Sequence, residues 1–260
     1  MIELYSITHK KIKKLPHGRK PLLVGAYNNE ENFGYDFDSN YIDNISMKNQ
    51  FFCEMTGIYY LWKSKKCDYI GIEHYRRYFY NDKFFFYHRI LSKEKIEIEL
   101  KKYDIIVPKK HYWPTYINQY EQYKNEHLIK DLDILQNVIF EEYPDYIDSW
   151  NKVIHQNRWF YNYNMFISSK KIFDEYCSFV FPILFEIENR INVNDGRNDY
   201  QKRVFGFLAE RLFNVWLEKN KQYKLKEFSV INIEESYFRI IIRKIYRLFK
   251  WRKVKKYNCK

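Results

Sequence analysis

Short apolar runs along this chain alternate with longer stretches in which apolar residues return every three or four positions, the pattern of strands interleaved with helices. "IELYSITHKK" is a β-type run that ends in polar residues, and "PLLVGAY" is a second, opened by Pro21. After a Gly- and Asn-containing loop, "DNISMKNQFFCEMTGIYYLWKSKK" places Met47, Phe51, Met55, Ile58 and Trp62 at helical spacing. Ser46 stands where an N-cap is expected, and the Lys-Ser-Lys-Lys run suits the carboxyl end of the helix. Next comes "DYIGIEHYRRYF", Asp68 to Phe79, a strand whose Tyr69, Ile70 and Ile72 call for burial and whose Gly71 permits another backbone to approach. Strand, helix and strand in that order predict a βαβ layout.

Further on, "YDIIVP" predicts a strand, "EHLIKDLDILQNVIFEEY" a helix, and "RWFYNYNMFISS" a strand that contains Asn164. Two long helices are expected over "KKIFDEYCSFVFPILFEIENR" and "YQKRVFGFLAERLFNVWLEK". No repeat, low-complexity segment or linker interrupts the chain before its tail. The pattern therefore predicts the α/β class, with one main domain over residues 1–235 and a tail over 236–260.

Composition narrows this picture. With 260 residues and 46% hydrophobic content the chain can bury one sizeable core, and only seven Gly and six Pro argue against long disorder. Four cysteines without a C-x-x-C pair, and an amino-terminal "MIELYSITHKK" without an apolar core, predict a reduced, cytoplasmic protein. No run approaches the ~18 apolar residues of a membrane span, so membrane contact is expected to be peripheral.

The net charge of +12 sits mostly in the tail, where residues 239–260 hold ten Lys or Arg and no acid. The remaining body is near neutral, which counts against the alternative of a nucleic-acid-binding module. At about 100° per residue the tail places Phe238, Ile241, Ile242, Ile245, Leu248 and Phe249 on one face and Arg239, Arg243, Arg247 and Lys250 on the other. Such a basic amphipathic helix suits the anionic inner face of the cytoplasmic membrane; alternatively, its Ile face packs on the domain.

Candidate chemistry gathers at strand ends. Ligands of α/β sheets bind outside the carboxyl ends of the strands. His9 and Lys10 after the first strand, and His74, Arg76 and Arg77 after "DYIGIE", fall on that edge and favour an anionic ligand such as a nucleotide diphosphate. The alternative is that Arg76 and Arg77 pair with local acids while His74 is a satisfied, half-buried side chain. P-loop, dinucleotide and nucleophile-elbow motifs are absent, zinc spacing is missing, and "NVNDGRND" lacks the EF-hand pattern, so no structural metal is expected.

"THK" at Thr8–Lys10, "VGA" at Val24–Ala26, "DNISMKN" at Asp43–Asn49, "EMTGIYYLWK", "GIEHYRRYF", "NMF" at Asn164–Phe166, "YCSFVFPILFEIE" and "GFLAERLFNVW" together carry a resemblance, in order, from about residue 2 to residue 217. The chain resembles a bacterial glycosyltransferase family, long labelled a domain of unknown function and found in capsule and O-antigen clusters. The resemblance implies a GT-A-like fold with a Rossmann-like half that binds a nucleotide sugar. The strand Tyr69–Glu73 looks like the one that ends in Asp-x-Asp in many GT-A enzymes, where it holds a divalent metal on the donor diphosphate. Here Glu-His-Tyr-Arg-Arg stands instead, so no cofactor is required and cations replace the metal, the alternative being a divalent metal held without an Asp-x-Asp motif.

By the same resemblance Thr8, His9, Lys10, Gly25, Asp43, Asn44, Ser46, Lys48, Asn49, His74, Tyr75, Arg76, Arg77, Asn164 and Arg203 are the donor-binding set, with Asn164 on the sugar hydroxyls. Glu210 or Asp199 would be the base for the acceptor hydroxyl, with His74 beside them; the alternative for Glu210 is a structural pair with Arg211 or Arg203. The expected activity is transfer of a hexose, galactose in pyranose or furanose form, from a UDP donor to a polysaccharide or lipid-linked acceptor. A non-catalytic scaffold of the same fold is the other alternative.

Overall fold

The computed structural model describes residues 1–81, 89–112 and 118–235, so the expected tail helix lies outside the described residues. The strands are β1 (Ile2–Thr8), β2 (Lys20–Leu23), β3 (Asp36–Phe37), β4 (Tyr69–His74), β5 (Arg77–Asn81), β6 (Arg89–Ile90), β7 (Ile105–Pro108), β8 (His111–Tyr112), β9 (Trp159–Phe160), β10 (Ile167–Ser169) and β11 (Leu225–Asn232). Strands β8 and β9 pair separately; the others form one sheet in the order β3-β2-β1-β4-β10-β7-β11-β5-β6. β1 runs parallel to β2 and β4, as the βαβ pattern predicts, whereas β10 is antiparallel to both β4 and β7. A further pairing of His74 with Arg77 joins β4 to β5, so β4, β10, β7, β11 and β5 make a closed circuit of pairs.

Helices α1 (Asn49–Phe52), α2 (Met55–Ser64), α3 (Lys93–Leu100), α4 (Gln119–Glu126), α5 (Ile129–Glu142), α6 (Ile147–Trp150), α7 (Lys170–Arg190) and α8 (Val204–Lys219) surround the sheet. Because side chains alternate along a strand, β1 sends Tyr5 and Ile7 into a large core with α2, α5, α7 and α8, and Ile2 and Leu4 into a smaller one with α3. β4 and β7 alternate in the same way, with Ile70, Ile72, Ile105 and Val107 on the large core and Ile106 on the small one. Gly71 answers a packing need here: a Cβ there would lie 2.5 Å from Leu4 Cδ2 and 3.0 Å from Ile167 Cγ1, so what approaches it is side chain rather than backbone.

Two sequence expectations fail for tertiary reasons. The helix expected through Ser46–Trp62 is broken into a 3-10 turn (Ser46–Lys48), α1 and α2, with Cys53 at φ 52 between the last two. Ser46 does not cap it: its hydroxyl donates to Asp38 (2.6 Å) and accepts from the Tyr27 N–H (3.1 Å). Asp38, fully buried, also accepts from the N–H groups of Gly25 and Ala26 and from the Thr56 hydroxyl, and these donors outweigh a straight helix. The strand expected through Asn164 is likewise interrupted between β9 and β10 by a turn with Tyr163 at φ 81 and Asn164 at φ 47.

Candidate active site

The carboxyl ends of the parallel strands β1, β2 and β4 open onto a cavity of about 700 Å³, on the edge that the strand-end cluster predicts. Thr8, His9, Val24 and the tight β4–β5 connection, His74–Arg77, form one wall. The facing wall comes from the α1–α2 break (Asn49, Gln50, Cys53, Glu54), the end of α4 (Gln122, Glu126, His127), Asn162 and Tyr163, and the run from Asp199 to Arg211.

Glu73, at the end of β4, turns away from this space. It is fully buried, pairs with the equally buried Arg19 (Nε–Oε2 2.8 Å) and accepts from the Phe79 N–H (2.9 Å). The residues after it face the cavity, and among the described residues neither Arg76 nor Arg77 pairs with a carboxylate. Their guanidinium carbons lie over rings instead, Arg76 at 5.4 Å from the Tyr75 centre and Arg77 at 4.6 Å from that of Tyr163. The Arg76 Nε is buried without a partner. Arg203 adds a third guanidinium, its Nε donating to Cys53 Sγ at 3.2 Å. The alternative of local ion pairing thus does not describe Arg76 and Arg77.

Two histidines join these cations at the strand ends. Burial lowers the pKa of His74 against the raising pull of Glu54 and of the bond to the Tyr163 carbonyl, with Arg77 and Arg76 lowering it further; His9 is lowered by burial and by Lys10, Arg76 and Arg203. His74 Nε2 lies 2.7 Å from the Tyr163 carbonyl, which can only accept, so this nitrogen carries the proton. Tyr163 is held at its other end by Glu210, whose Oε1 accepts from the Tyr163 N–H (2.8 Å) while Oε2 takes Arg211 at 3.2 Å. Two non-glycine residues at positive φ cost on the order of 1–3 kcal/mol each, and they persist because these bonds over-determine the turn. Burial raises the Glu210 pKa, with Arg211 opposing it.

Of the donor-binding and catalytic residues expected from sequence, Thr8, His9, Asn49, His74, Tyr75, Arg76, Arg77, Asp199, Arg203 and Glu210 line the cavity. Lys10 stands just outside, 4.8 Å over the Tyr75 ring and 3.8 Å from Glu234. Gly25, Asp43, Asn44, Ser46, Lys48 and Asn164 do not line it. Gly25 and Ser46 serve Asp38; Asp43 accepts from the Tyr59 hydroxyl and pairs with Lys63; Asn44 donates to the Tyr41 carbonyl; Lys48 reaches Glu188 at 2.6 Å. Asn164 is 1% exposed and donates to Glu54 (2.8 Å) and to the Gly206 carbonyl (3.2 Å), beneath the cavity floor. Asp199 is at the rim, its carboxylate 93% exposed and held by Lys202.

Sequence reasoning misses Glu54, Gln122, Glu126, His127, Tyr163, Tyr200 and Phe207 as cavity residues. His127 stacks on Tyr200 (5.8 Å) and packs on Phe207 (4.1 Å); burial, with Arg211 beside it, pulls its pKa down to about 3. Glu54 lies inside a quoted motif, yet a continuous helix there gives no sign that it faces a cavity. Among the described residues no three His, Cys, Asp or Glu side chains converge as a metal site.

No curated protein matches the chain. Among solved structures it is similar to the WbbM bifunctional glycosyltransferase in its apo form, with 31% identity and a TM-score of 0.82 over 90% of this chain. The match covers 45% of that protein, so this chain spans less than half its length. Both the mixed α/β fold and this likeness fit the glycosyltransferase resemblance read from the sequence. The pattern of the domain of unknown function DUF4422 matches residues 3–221, and the chain belongs to that family.

Proposed function

We propose that this chain is a GT-A-like glycosyltransferase that holds a nucleotide-diphosphate sugar against Arg76 and Arg77. The observation that carries the reading is a pair of arginines that, among the described residues, have no acid partner at the carboxyl ends of parallel strands, in a chain similar over 90% of its length to a bifunctional glycosyltransferase. When the glycosidic bond to the diphosphate breaks, negative charge builds on the leaving oxygens, and fixed guanidinium groups stabilise it in place. Arg203 extends the same positive wall. On this reading no divalent metal is required, because the cations supply the charge a metal would bring. His74, tied to the Tyr163 carbonyl, holds the turn under the sugar.

The finer reading is a UDP-hexose donor, galactose in pyranose or furanose form, and a polysaccharide or lipid-linked acceptor of capsule or O-antigen synthesis. Its test is a panel of nucleotide sugars in chelator, followed by melting temperature and then transfer. A ligand at a hundredfold its Kd adds about 2.7 kcal/mol of stability, well within detection. A panel in which none stabilises the protein sinks the reading; activity that vanishes in EDTA and returns with manganese sinks metal independence.

We also propose that residues 236–260 hold the enzyme on the inner membrane face through Arg239, Arg243, Arg247 and Lys250. Truncation after Glu235 is expected to release the protein from anionic liposomes without changing its melting temperature. Aggregation or earlier melting of the truncated chain would instead make the tail part of the core.

A further inference from the structure

Four carboxylates line the cavity: Glu54, Glu126, Asp199 and Glu210. A base for an acceptor hydroxyl needs an oxygen that faces the donor and is not already committed to a cation. Glu210 is committed on both oxygens, to the Tyr163 N–H and to Arg211, and it is the clamp of a positive-φ turn. Asp199 stands in solvent beside Lys202, where water competes for the acceptor. Glu126 belongs to the α4 wall, on the side where its charge acts on Tyr200.

Glu54 differs from Glu210 and Asp199 in its partners and from Glu126 in its place, since its charge acts on His74 and Arg203 of the cationic wall. Among the described residues it pairs with no cation, and its one side-chain hydrogen bond is to Oε1, donated by Asn164 Nδ2 at 2.8 Å. That leaves Oε2 uncommitted. Asn164 follows Tyr163, whose carbonyl takes His74 and whose ring underlies Arg77, so Glu54 is tied through one turn to the cationic wall. The backbone is held at unusual angles on both sides of this bond, at Cys53 (φ 52) just before Glu54 and at Asn164 (φ 47). Gly206 permits the approach, since a Cβ there would lie 3.3 Å from that of Cys53, and its carbonyl takes the second Asn164 hydrogen. Two unfavourable backbone positions that meet at one carboxylate mark a position selected for what it faces rather than for stability.

We infer that Glu54 is the catalytic base of transfer, with Asn164 as the residue that positions it. The inference rests on the glycosyltransferase reading above. In the step, Glu54 Oε2 takes the proton of the acceptor hydroxyl as that oxygen bonds to the anomeric carbon. The bond from that carbon to the diphosphate oxygen breaks, and its electron pair leaves with the nucleoside diphosphate between Arg76 and Arg77. The proton on Glu54 then passes to solvent.

The experiment uses the full chain and the nucleotide sugar that most stabilises the wild type. Glu54→Gln keeps an oxygen for Asn164 and removes only the basic one. It is expected to bind donor and to melt as the wild type does, while transfer falls by about 10²–10⁴-fold. In Glu54→Ala, added formate is expected to restore part of the turnover. Transfer by Glu54→Gln near the wild-type rate overturns the assignment. So does a folded, donor-binding Glu54→Ala that formate does not help, or a loss of turnover confined to Glu126→Gln or Glu210→Gln. A wild type that binds and transfers from no nucleotide sugar is a different result, which removes the glycosyltransferase reading itself before any variant is made.

Discussion

Arg197 and Arg77 are both drawn into the protein, and the groups that face them differ. Under α5, Arg197 meets Asp131 through two bonds (3.0 and 3.2 Å) and Asp195 through two more (2.8 and 3.0 Å). Arg19 is answered in the same way by Glu73. At the sheet edge, Arg77 and Arg76 have aromatic rings and an open cavity in place of carboxylates. Arg197 and Arg19 are buried, where an unpaired cation is costly, whereas Arg76 and Arg77 are half-buried and among the described residues are left without a carboxylate in contact. That arrangement is what the proposed diphosphate site would need, since the leaving oxygens would supply the missing negative charge.

The comparison breaks first on the structural side. Glu73→Ala leaves Arg19 buried and unpaired and takes the acceptor from the Phe79 N–H, so a loss of about 3–5 kcal/mol in denaturant unfolding is expected. If the variant loses less than about 1 kcal/mol, the pair is not structural and the contrast fails. On the other side, Arg76→Ala or Arg77→Ala removes no ion pair and is expected to leave melting unchanged. Transfer is expected to fall about a hundredfold or more, ~3 kcal/mol in activation free energy. Full activity in either folded variant removes it from the diphosphate site.

A smaller effect sharpens the electrostatic side of the contrast. The unfolded chain protonates His127 near its ordinary pKa of 6.5, whereas the folded chain holds it down to about 3 through burial and the nearby Arg211 and Arg203, against a hydrogen bond with Gln201. Below pH 6.5 the unfolded state therefore binds the extra proton, and stability falls with pH by up to about 1.4 kcal/mol per unit. His127→Phe keeps the stacking on Phe207 and is expected to flatten that decline, with a remainder from His9 and His74, which are lowered too. Melting temperature against pH from 7 to 5 measures it; parallel curves for the two proteins would show that His127 does not carry the slope.

Much of this molecule was legible before folding. β1, β2, β4 and β7 appear as compact apolar runs, and α5, α7 and α8 as helical periods, because burial on a sheet or helix face imposes those spacings locally. The cluster of His74, Arg76 and Arg77 was legible for a related reason: polar residues that directly follow a buried strand must fall at the sheet edge. Other positions carry no local signal. Ser46 reads as a cap until Asp38 claims its hydroxyl, and the break at Cys53 is set by donors that converge on that carboxylate from several segments. Asp43, Asn44 and Lys48 share a motif with Asn49, yet Asn49 lines the cavity and they do not, because a motif fixes spacing and not the direction each side chain takes. Glu54 and Asn164 are 110 residues apart, and the hydrogen bond between them exists only once α8 has packed against the α1–α2 break. Sequence thus determined the elements and the charged edge, where short-range periodicity is enough. The tertiary structure alone decided which side chains meet at that edge and which are tied up elsewhere, since that depends on partners brought together from distant parts of the chain.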